Sequence, residues 1–352
     1  MTGKPRNGTV LLDRAKIQFA LSERGLSWTS TKPHCDVSES TWRRISRGAR
    51  VFPKTAEEVA RYLNFKVADL LVPKDDLGDT EFQWPEHPEW KMVAAEPGWP
   101  TTSNGLSYFR CKVEHRHVGL PAVPQYGRAR FYDLSRVPDE DREEMTRRLT
   151  RHPLVCREFS ECPYLVVNLC AAPVAGGQFW WVIDKWFEGQ VLSDLIDESS
   201  IDLSQLNPIM MQVALGLSAL HERGYLIREL SPENVLVGET GEVRLTELDL
   251  AKLLFTDKTV SNGWSTDSYR APEVADDSAS VRSDLYSWAM VYLHAAAGDC
   301  SLNRTAVDSV EYLSQHAEIR SLLRKCLSPR ASQRPESAHQ LISVLQAGNP
   351  GI

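Results

Sequence analysis

Residues 220–251 read LHERGYLIRELSPENVLVGETGEVRLTELDLA. Leu220-His221-Glu222-Arg223-Gly224-Tyr225 ends a helix, because glycine accepts the left-handed backbone at which helices stop. Ile227–Val237 follows as a polar loop into a strand, Gly238–Gly241 turns, and Glu242–Leu248 makes a second strand. This loop-strand-turn-strand after a long helix presents a few polar side chains at one rim: Arg228, Glu229, Glu233, Asn234 and Glu247. Two carboxylates and an amide converging there can hold a cation or position a hydroxyl. The plainer alternative is a salt-bridged rim with no substrate.

Upstream of that stretch the chain reads as strands, downstream as helices. Arg110–His115 and Ala129–Leu134 carry β-formers, and Trp180-Trp181-Val182-Ile183 suits a buried strand. Pro208–Arg223 and Ser283–Ala297 are helical in pattern. Strands followed by helices predict an α+β body with two lobes, here residues 90–347. Residues 73–89 are acidic and proline-bearing, and read as a linker. Residues 8–72 read as helices with short polar turns. Residues 1–72 hold 13 Lys and Arg against 7 Asp and Glu, while the remainder holds 27 against 40. A basic module on an acidic body places any polyanion at the first module.

The longest apolar stretches are Tyr164–Gly177, broken by Asn168 and Pro173, and the short Met210–Leu220. No transmembrane helix or membrane partner is therefore expected. MTGKPRNGTV lacks the apolar core of a signal peptide, so the chain is expected in the cytoplasm. Seven cysteines show no CxxC pair and read as reduced thiols. The spacing of Cys156, Cys162 and Cys170 does not match common zinc sites and no suitable histidine completes them, so no metal is expected.

In the first module, Leu11–Glu23 has helical spacing and stops at Gly25, and a later helix, Glu39–Arg47, stops at Gly48. Val37, Thr41 and Ile45 lie four apart and predict a buried stripe, leaving Ser40, Arg43, Arg44 and Arg47 on other faces. Residues 25–48 resemble the helix-turn-helix of the Cro/phage-repressor (xenobiotic-response-element) family. The likeness rests on Gly25-Leu26-Ser27, Val37-Ser38, Ser40-Thr41, Arg44-Ile45 and Arg47-Gly48. It continues through Arg50-Val51, Thr55–Leu63 and Val67–Leu71. The resemblance implies a double-stranded DNA partner. Ser38, Glu39, Ser40 and Arg43 would lie at the DNA, the last three near base edges, with Arg44, Arg47, Arg50 and Lys54 on phosphates. It also implies a homodimer on paired half-sites. Thr31, Lys32 and Pro33 depart from the family pattern and predict a short or distorted first helix, with Trp42 filling the gap. The alternative is a helical module that binds protein.

From Trp90 to Ala347 the chain resembles a protein kinase. Phe179–Asp184, then Glu188-Gly189, resembles the strand into the hinge. Ile227-Arg228-Glu229-Leu230-Ser231-Pro232-Glu233-Asn234 stands at the catalytic loop and Thr246–Ala251 at the metal-binding motif. Tyr269-Arg270-Ala271-Pro272-Glu273 matches the end of an activation segment. Asp284-Leu285-Tyr286-Ser287 and Gln333-Arg334-Pro335 match later landmarks. The resemblance implies that Glu273 pairs with Arg334 and that Asp284 braces the catalytic loop. Together the two resemblances imply an α+β multidomain chain: an all-α helix-turn-helix domain at 8–72, then a bilobal kinase-like fold.

The family's chemistry needs a third-strand lysine, an aspartate that orients the hydroxyl and an aspartate on Mg²⁺. Here those places hold no lysine, then Glu229 and Glu247. The third strand reads ARFYDL, and Glu96–Gly105 replaces the glycine-rich loop. Only Asn234 is kept. Glutamate moves a carboxylate by one methylene, and misplacement of about 1 Å costs roughly 100-fold. Arg128 or Arg130 is the expected substitute cation, with Glu143 or Glu144 as its partner. These departures predict a degenerate site, not an enzyme but a pseudokinase, with no cofactor assigned and ATP binding left open. The expected function is a DNA-binding transcriptional regulator whose kinase-like body senses a small molecule, dimerises or docks a protein. The alternatives are a divergent active serine/threonine kinase or nucleotidyl transferase acting through Glu229, Asn234 and Glu247, and a protein–protein scaffold with no DNA binding.

Overall fold

The structure is a computed structural model. It describes residues 12, 13, 16, 17, 20, 21, 24, 37, 41, 42, 45, 51, 53–71, 87–95, 108–116, 124–134, 137, 139–198, 200–228, 230–248, 252–253, 269–276, 279–297, 308, 310–313 and 316–347. In the N-terminal segment, α1 (Pro53–Leu63) starts two residues earlier than expected. Proline serves in a first turn, where its missing N–H has no intrahelical partner to lose. Ala56, Val59, Ala60 and Leu63 recur at helical spacing and are buried with Ile17, Leu21, Trp42 and Ile45. Arg24 donates to the carbonyls of Tyr62 and Leu63 at 2.6 and 2.9 Å, satisfying two orphan acceptors at the end of α1. The short α2 (Val67–Leu70) follows. Of the expected stripe Val37 and Ile45 are buried and Thr41 is half-buried, and Trp42 is wholly buried with its ring edge-on to Tyr62. Ser38, Glu39, Ser40, Arg43, Arg44, Arg47 and Arg50 lie outside the described residues, while Lys54 is exposed on α1.

The small lobe is an antiparallel sheet in the order β1-β2-β3-β5-β4. Its strands are β1 (Trp90–Ala95), β2 (Tyr108–His115), β3 (Tyr126–Asp133), β4 (Asn168–Val174) and β5 (Phe179–Lys185). Strand alternation sends Tyr108, Tyr132, Trp180 and Val182 against Met145 and Leu149 of α3 (Asp139–Glu158). The other face buries Cys111, Val113, Ala129, Phe131, Trp181 and Ile183 with Trp90. The two adjacent tryptophans are thus core residues on opposite faces. Gly127 is required where it stands: a Cβ there would lie 2.5 Å from Ile183 Cγ2.

The large lobe follows. It comprises β6 (Gly189–Val191), α4 (Leu192–Asp197), α5 (Leu203–Glu222), β7 (Tyr225–Leu226), β8 (Val235–Gly238), β9 (Val243–Leu245), β10 (Lys252–Leu253), α6 (Val281–Ala297), α7 (Ala317–Cys326) and α8 (Ala338–Ala347). Its core forms around α5 and α6, where Met210, Val213, Leu217, Leu285 and Trp288 are buried. Trp288 Nε1 donates to the Met210 carbonyl at 2.9 Å, which locks the two helices together. Gly216 lets α5 approach β9, since a Cβ would come within 2.8 Å of Leu245. Val166 N–H donates to the Leu245 carbonyl, and Leu245 N–H to that of Tyr164. The segment entering β4 is therefore tied to the large lobe. Among the described residues three free thiols are buried, Cys111 in the sheet and Cys156 and Cys326 in the main core. Among the described residues, no helix is long and apolar enough to cross a membrane.

Candidate active site

The loop between β7 and β8 is held by one carboxylate. Asp284, on the first turn of α6 and 1% exposed, accepts from the backbone N–H of Ile227 and of Arg228, both at 2.9 Å. His221 Nε2 lies 2.8 Å from the same carboxylate. The expected brace is present. Farther along, Thr246 N–H donates to the Asn234 carbonyl at 3.0 Å, so pairing of β8 with β9 sets Asn234 beside the segment that carries Glu247. Arg228 and Glu247 take φ of 68° and 60°. A non-glycine residue in this left-handed region stores about 1–3 kcal/mol, a condition concentrated at functional sites. The strand expected over Glu242–Leu248 accordingly ends at Leu245, and Glu247 turns out of the ladder. Glu229 and Asp249 lie outside the described residues. The carboxylate of Glu247 and the amide of Asn234 supply hard oxygen donors of the kind that bind Mg²⁺.

Tyr108 on β2 crosses from the small lobe and donates to Glu247 Oε1 at 2.5 Å. Burial, and then the adjacent Glu247 carboxylate, push the Tyr108 hydroxyl well above the ordinary tyrosine value, so it stays protonated and donates. A bond to a charged acceptor contributes about 1.5–3 kcal/mol. Tyr108→Phe is therefore expected to lower stability by about 2 kcal/mol in urea unfolding. A change indistinguishable from zero would mean that the link between the lobes bears no load.

The third strand corrects the sequence expectation. Glu143 and Glu144 do not reach it; they pair along α3 with Arg147 and Arg148, at the three- and four-residue spacing that makes neighbours on a helix surface. Arg130 is a buried cation, but its partners are Asp184 at 3.3 Å and His152 at 3.1 Å. Asp184, at the hinge end of β5, also accepts from Asn168 at 2.9 Å and meets His152 Nε2 at 2.7 Å. Burial would raise the Asp184 carboxyl, but His152 and Arg130 outweigh it and hold the value at about 2. The Leu248 N–H donates to His152 Nδ1 at 3.2 Å, which joins this buried cluster to the residue after Glu247. Cys156 Sγ lies 3.5 Å from His152 Nε2. His152, Cys156 and Asp184 each bring one ligand atom within 4.8 Å of the others, a group that leaves out Cys162 and Cys170. The Arg130 guanidinium stands in the same group and supplies the positive charge there, so the cluster is an ion-pair network. Sequence reasoning missed Tyr108, His152 and Asp184. The available signal was a lone carboxylate ending an apolar strand, since buried charges are paired.

Beyond the loop, Glu273 and Arg334 form the expected pair, at 2.6 and 2.9 Å through two parallel bonds. Arg334 also donates to the carbonyls of Ser328 and Arg282, and is 3% exposed.

Comparison with known proteins gives this arrangement a context. Residues 138–351, more than half of the chain, match the family described as protein kinase domain. The chain is 28% identical over 200 residues to serine/threonine-protein kinase pkn2 of Myxococcus xanthus, covering 49% of this chain and 24% of that protein. It is 27% identical over 259 residues to mitogen-activated protein kinase kinase 1 of Arabidopsis thaliana, covering 70% of each. With serine/threonine-protein kinase PknL of Mycobacterium tuberculosis the identity is 26% over 182 residues, 49% of this chain and 43% of that protein. The chain thus spans about a quarter of the Myxococcus protein and under half of PknL. These findings overturn the expectation of a non-enzymatic, DNA-binding regulator with a pseudokinase body. The relatives carry kinase names, and none of those named here is described as a DNA-binding protein. With a small lobe built on a sheet and a large helical lobe, a loop braced by Asp284, and that match, the chain belongs to the protein kinase domain family.

Proposed function

We propose that this chain is a divergent protein kinase that moves the terminal phosphoryl group of a nucleoside triphosphate to a serine or threonine hydroxyl. The hydroxyl oxygen forms the new bond to phosphorus, a nucleoside diphosphate leaves, and the hydroxyl proton passes to Glu229. Asn234 and Glu247 would hold a divalent cation, which when bound neutralises charge on the phosphates. Arg130 would take the place of the third-strand lysine, as a buried cation of β3 that meets α3 at His152. The acceptor class comes from the names of the relatives.

The observation that supports this reading most is the anchored loop. Asp284 fixes the backbone on the N-terminal side of Glu229, and the Thr246 bond fixes Asn234 against the Glu247 segment. Left-handed backbone at Arg228 and Glu247 is costly, and a merely salt-bridged rim has no need of it. Transfer depends on positioning and electrostatics more than on covalent participation by the protein. A glutamate held in fixed geometry can therefore serve where an aspartate is usual.

The test is incorporation of label from γ-labelled ATP, with magnesium, into the chain itself and into a general protein substrate. Glu247→Ala is expected to reduce incorporation by about 100-fold or more, with its fold checked by melting temperature. Equal incorporation by the variant, or none by the parent chain, would overturn the reading.

A further inference from the structure

Glu247 is fixed at both ends. Its backbone takes a φ of 60°, and the N–H of the next residue, Leu248, donates to His152 Nδ1 at 3.2 Å. Its carboxylate is fixed through Oε1, which accepts from Tyr108 at 2.5 Å. Among the described residues Oε2 has no such partner. A glutamate has one more rotatable bond than an aspartate, and ordering it costs side-chain freedom. The Tyr108 bond settles that freedom before any ion arrives.

Tyr108 is itself held in place. It is 3% exposed and lies opposite Tyr132 in the β2–β3 register, the two ring centroids 5.0 Å apart. Leu134, Met145, Leu149 and Trp180 complete the core around it. Arg110 Cζ stands 5.9 Å from its ring centroid. Burial and the Glu247 carboxylate keep the hydroxyl protonated, so it serves as a donor and not as an anionic ligand.

Two hard cations differ in what they ask of a carboxylate. Ca²⁺ takes about six to eight oxygens at about 2.3–2.6 Å and accepts both oxygens of one carboxylate. Mg²⁺ demands near-octahedral geometry at about 2.0–2.1 Å and keeps several waters. An oxygen already committed to a phenol proton is a poor second ligand, because its charge is directed at that proton. From this arrangement we infer that Tyr108 is a positioning residue that makes Glu247 a one-oxygen ligand and so sets the site to magnesium over calcium. Outer partners of metal ligands fix ligand orientation in this way. With Oε1 on Tyr108, Glu247 contributes Oε2 alone, which leaves room for the waters and phosphate oxygens that complete an octahedron. The inference rests on the reading of Glu247 and Asn234 as a cation site, and it needs no phosphoryl transfer.

Mn²⁺ serves as the probe. Its free fraction is counted by electron spin resonance with the full chain and no nucleotide, and the site meant is the one that Glu247→Ala removes. Magnesium chloride and calcium chloride then displace it in separate titrations. The parent chain is expected to bind Mg²⁺ more tightly than Ca²⁺. Tyr108→Phe is expected to weaken Mg²⁺ by about tenfold or more and to leave Ca²⁺ unchanged or tighter, so that the ratio of the two moves by at least as much. A loss of rigidity alone would weaken both ions alike and leave the ratio where it was. Ca²⁺ bound by the parent as tightly as Mg²⁺ overturns the inference without any variant, as does the absence of such a Mn²⁺ site. An unchanged ratio in a variant whose melting curve shows it folded overturns it too. A ratio that moves, in a chain that transfers no phosphate, would uphold the inference and remove the kinase reading. Transfer with an unmoved ratio would do the reverse.

Discussion

Substitution of Arg334 by methionine is expected to destabilise the large lobe by about 3–5 kcal/mol, the usual consequence of stripping one partner from a buried ion pair. The guanidinium makes two parallel bonds to Glu273 and reaches the carbonyls of Ser328 and Arg282, while its Cζ lies 4.8 Å from the Tyr286 ring centroid. Methionine keeps the stem and supplies none of these donors. Urea unfolding followed by a large-lobe signal measures the loss, and a loss below about 1 kcal/mol would show that the pair is exposed in solution. Glu273→Gln combined with Arg334→Met removes both charges and is expected to recover part of it, as contacting residues are non-additive. The pH dependence has a definite sign. Burial raises the Glu273 carboxyl, but its bonds to Arg334 and Ser283 hold it below the ordinary glutamate value. Its stabilising contribution is therefore present above that ordinary value and disappears as pH falls through the lowered one. Arg334→Met should lose this acid-side sensitivity.

Asp284→Ala is expected to cost about 3 kcal/mol in stability and to lower phosphoryl transfer by about 100-fold or more. The carboxylate accepts two backbone N–H groups and faces His221, all in a region almost closed to water. Removing it orphans the donors of Ile227 and Arg228, at about 1–3 kcal/mol for each buried group left unsatisfied. Arg228 then loses the backbone bond that anchors it at a φ of 68°, and the loop relaxes toward ordinary backbone. As a positioning residue, Asp284 should act on kcat far more than on the KM for nucleotide. Asp284→Asn keeps one acceptor oxygen and should restore part of the rate. Loss of nucleotide affinity with an unchanged maximal rate would contradict this assignment.

The large lobe was legible because its landmarks are local and periodic. Pro208–Arg223 and Ser283–Ala297 show their helices through apolar spacing alone, and Glu273 with Arg334 announces a buried pair by resemblance. β3 was harder to see. Its inward positions 128 and 130 are arginines, so the alternation that marks a half-buried strand was hidden, and the strand begins at Tyr126 instead of Ala129. The same residues misled the reading of the site. A cation without a lysine's letter looked like loss, and its partner was sought on α3. The carboxylate that pairs with Arg130 lies 54 residues further along, on β5. Long-range pairing across a sheet leaves no trace in local spacing. Glu247 for aspartate was read as decay, yet Tyr108, 139 residues away in the chain, meets it across the cleft.

The buried thiols give the molecule built-in timers. Cys111 is sealed between strands of the small lobe, and Cys326 lies in the helical core. An alkylating reagent in the surrounding water can reach either sulfur only when the packing around it opens. The two halves of the body therefore report their openings on separate clocks, and no label need be introduced to hear them tick.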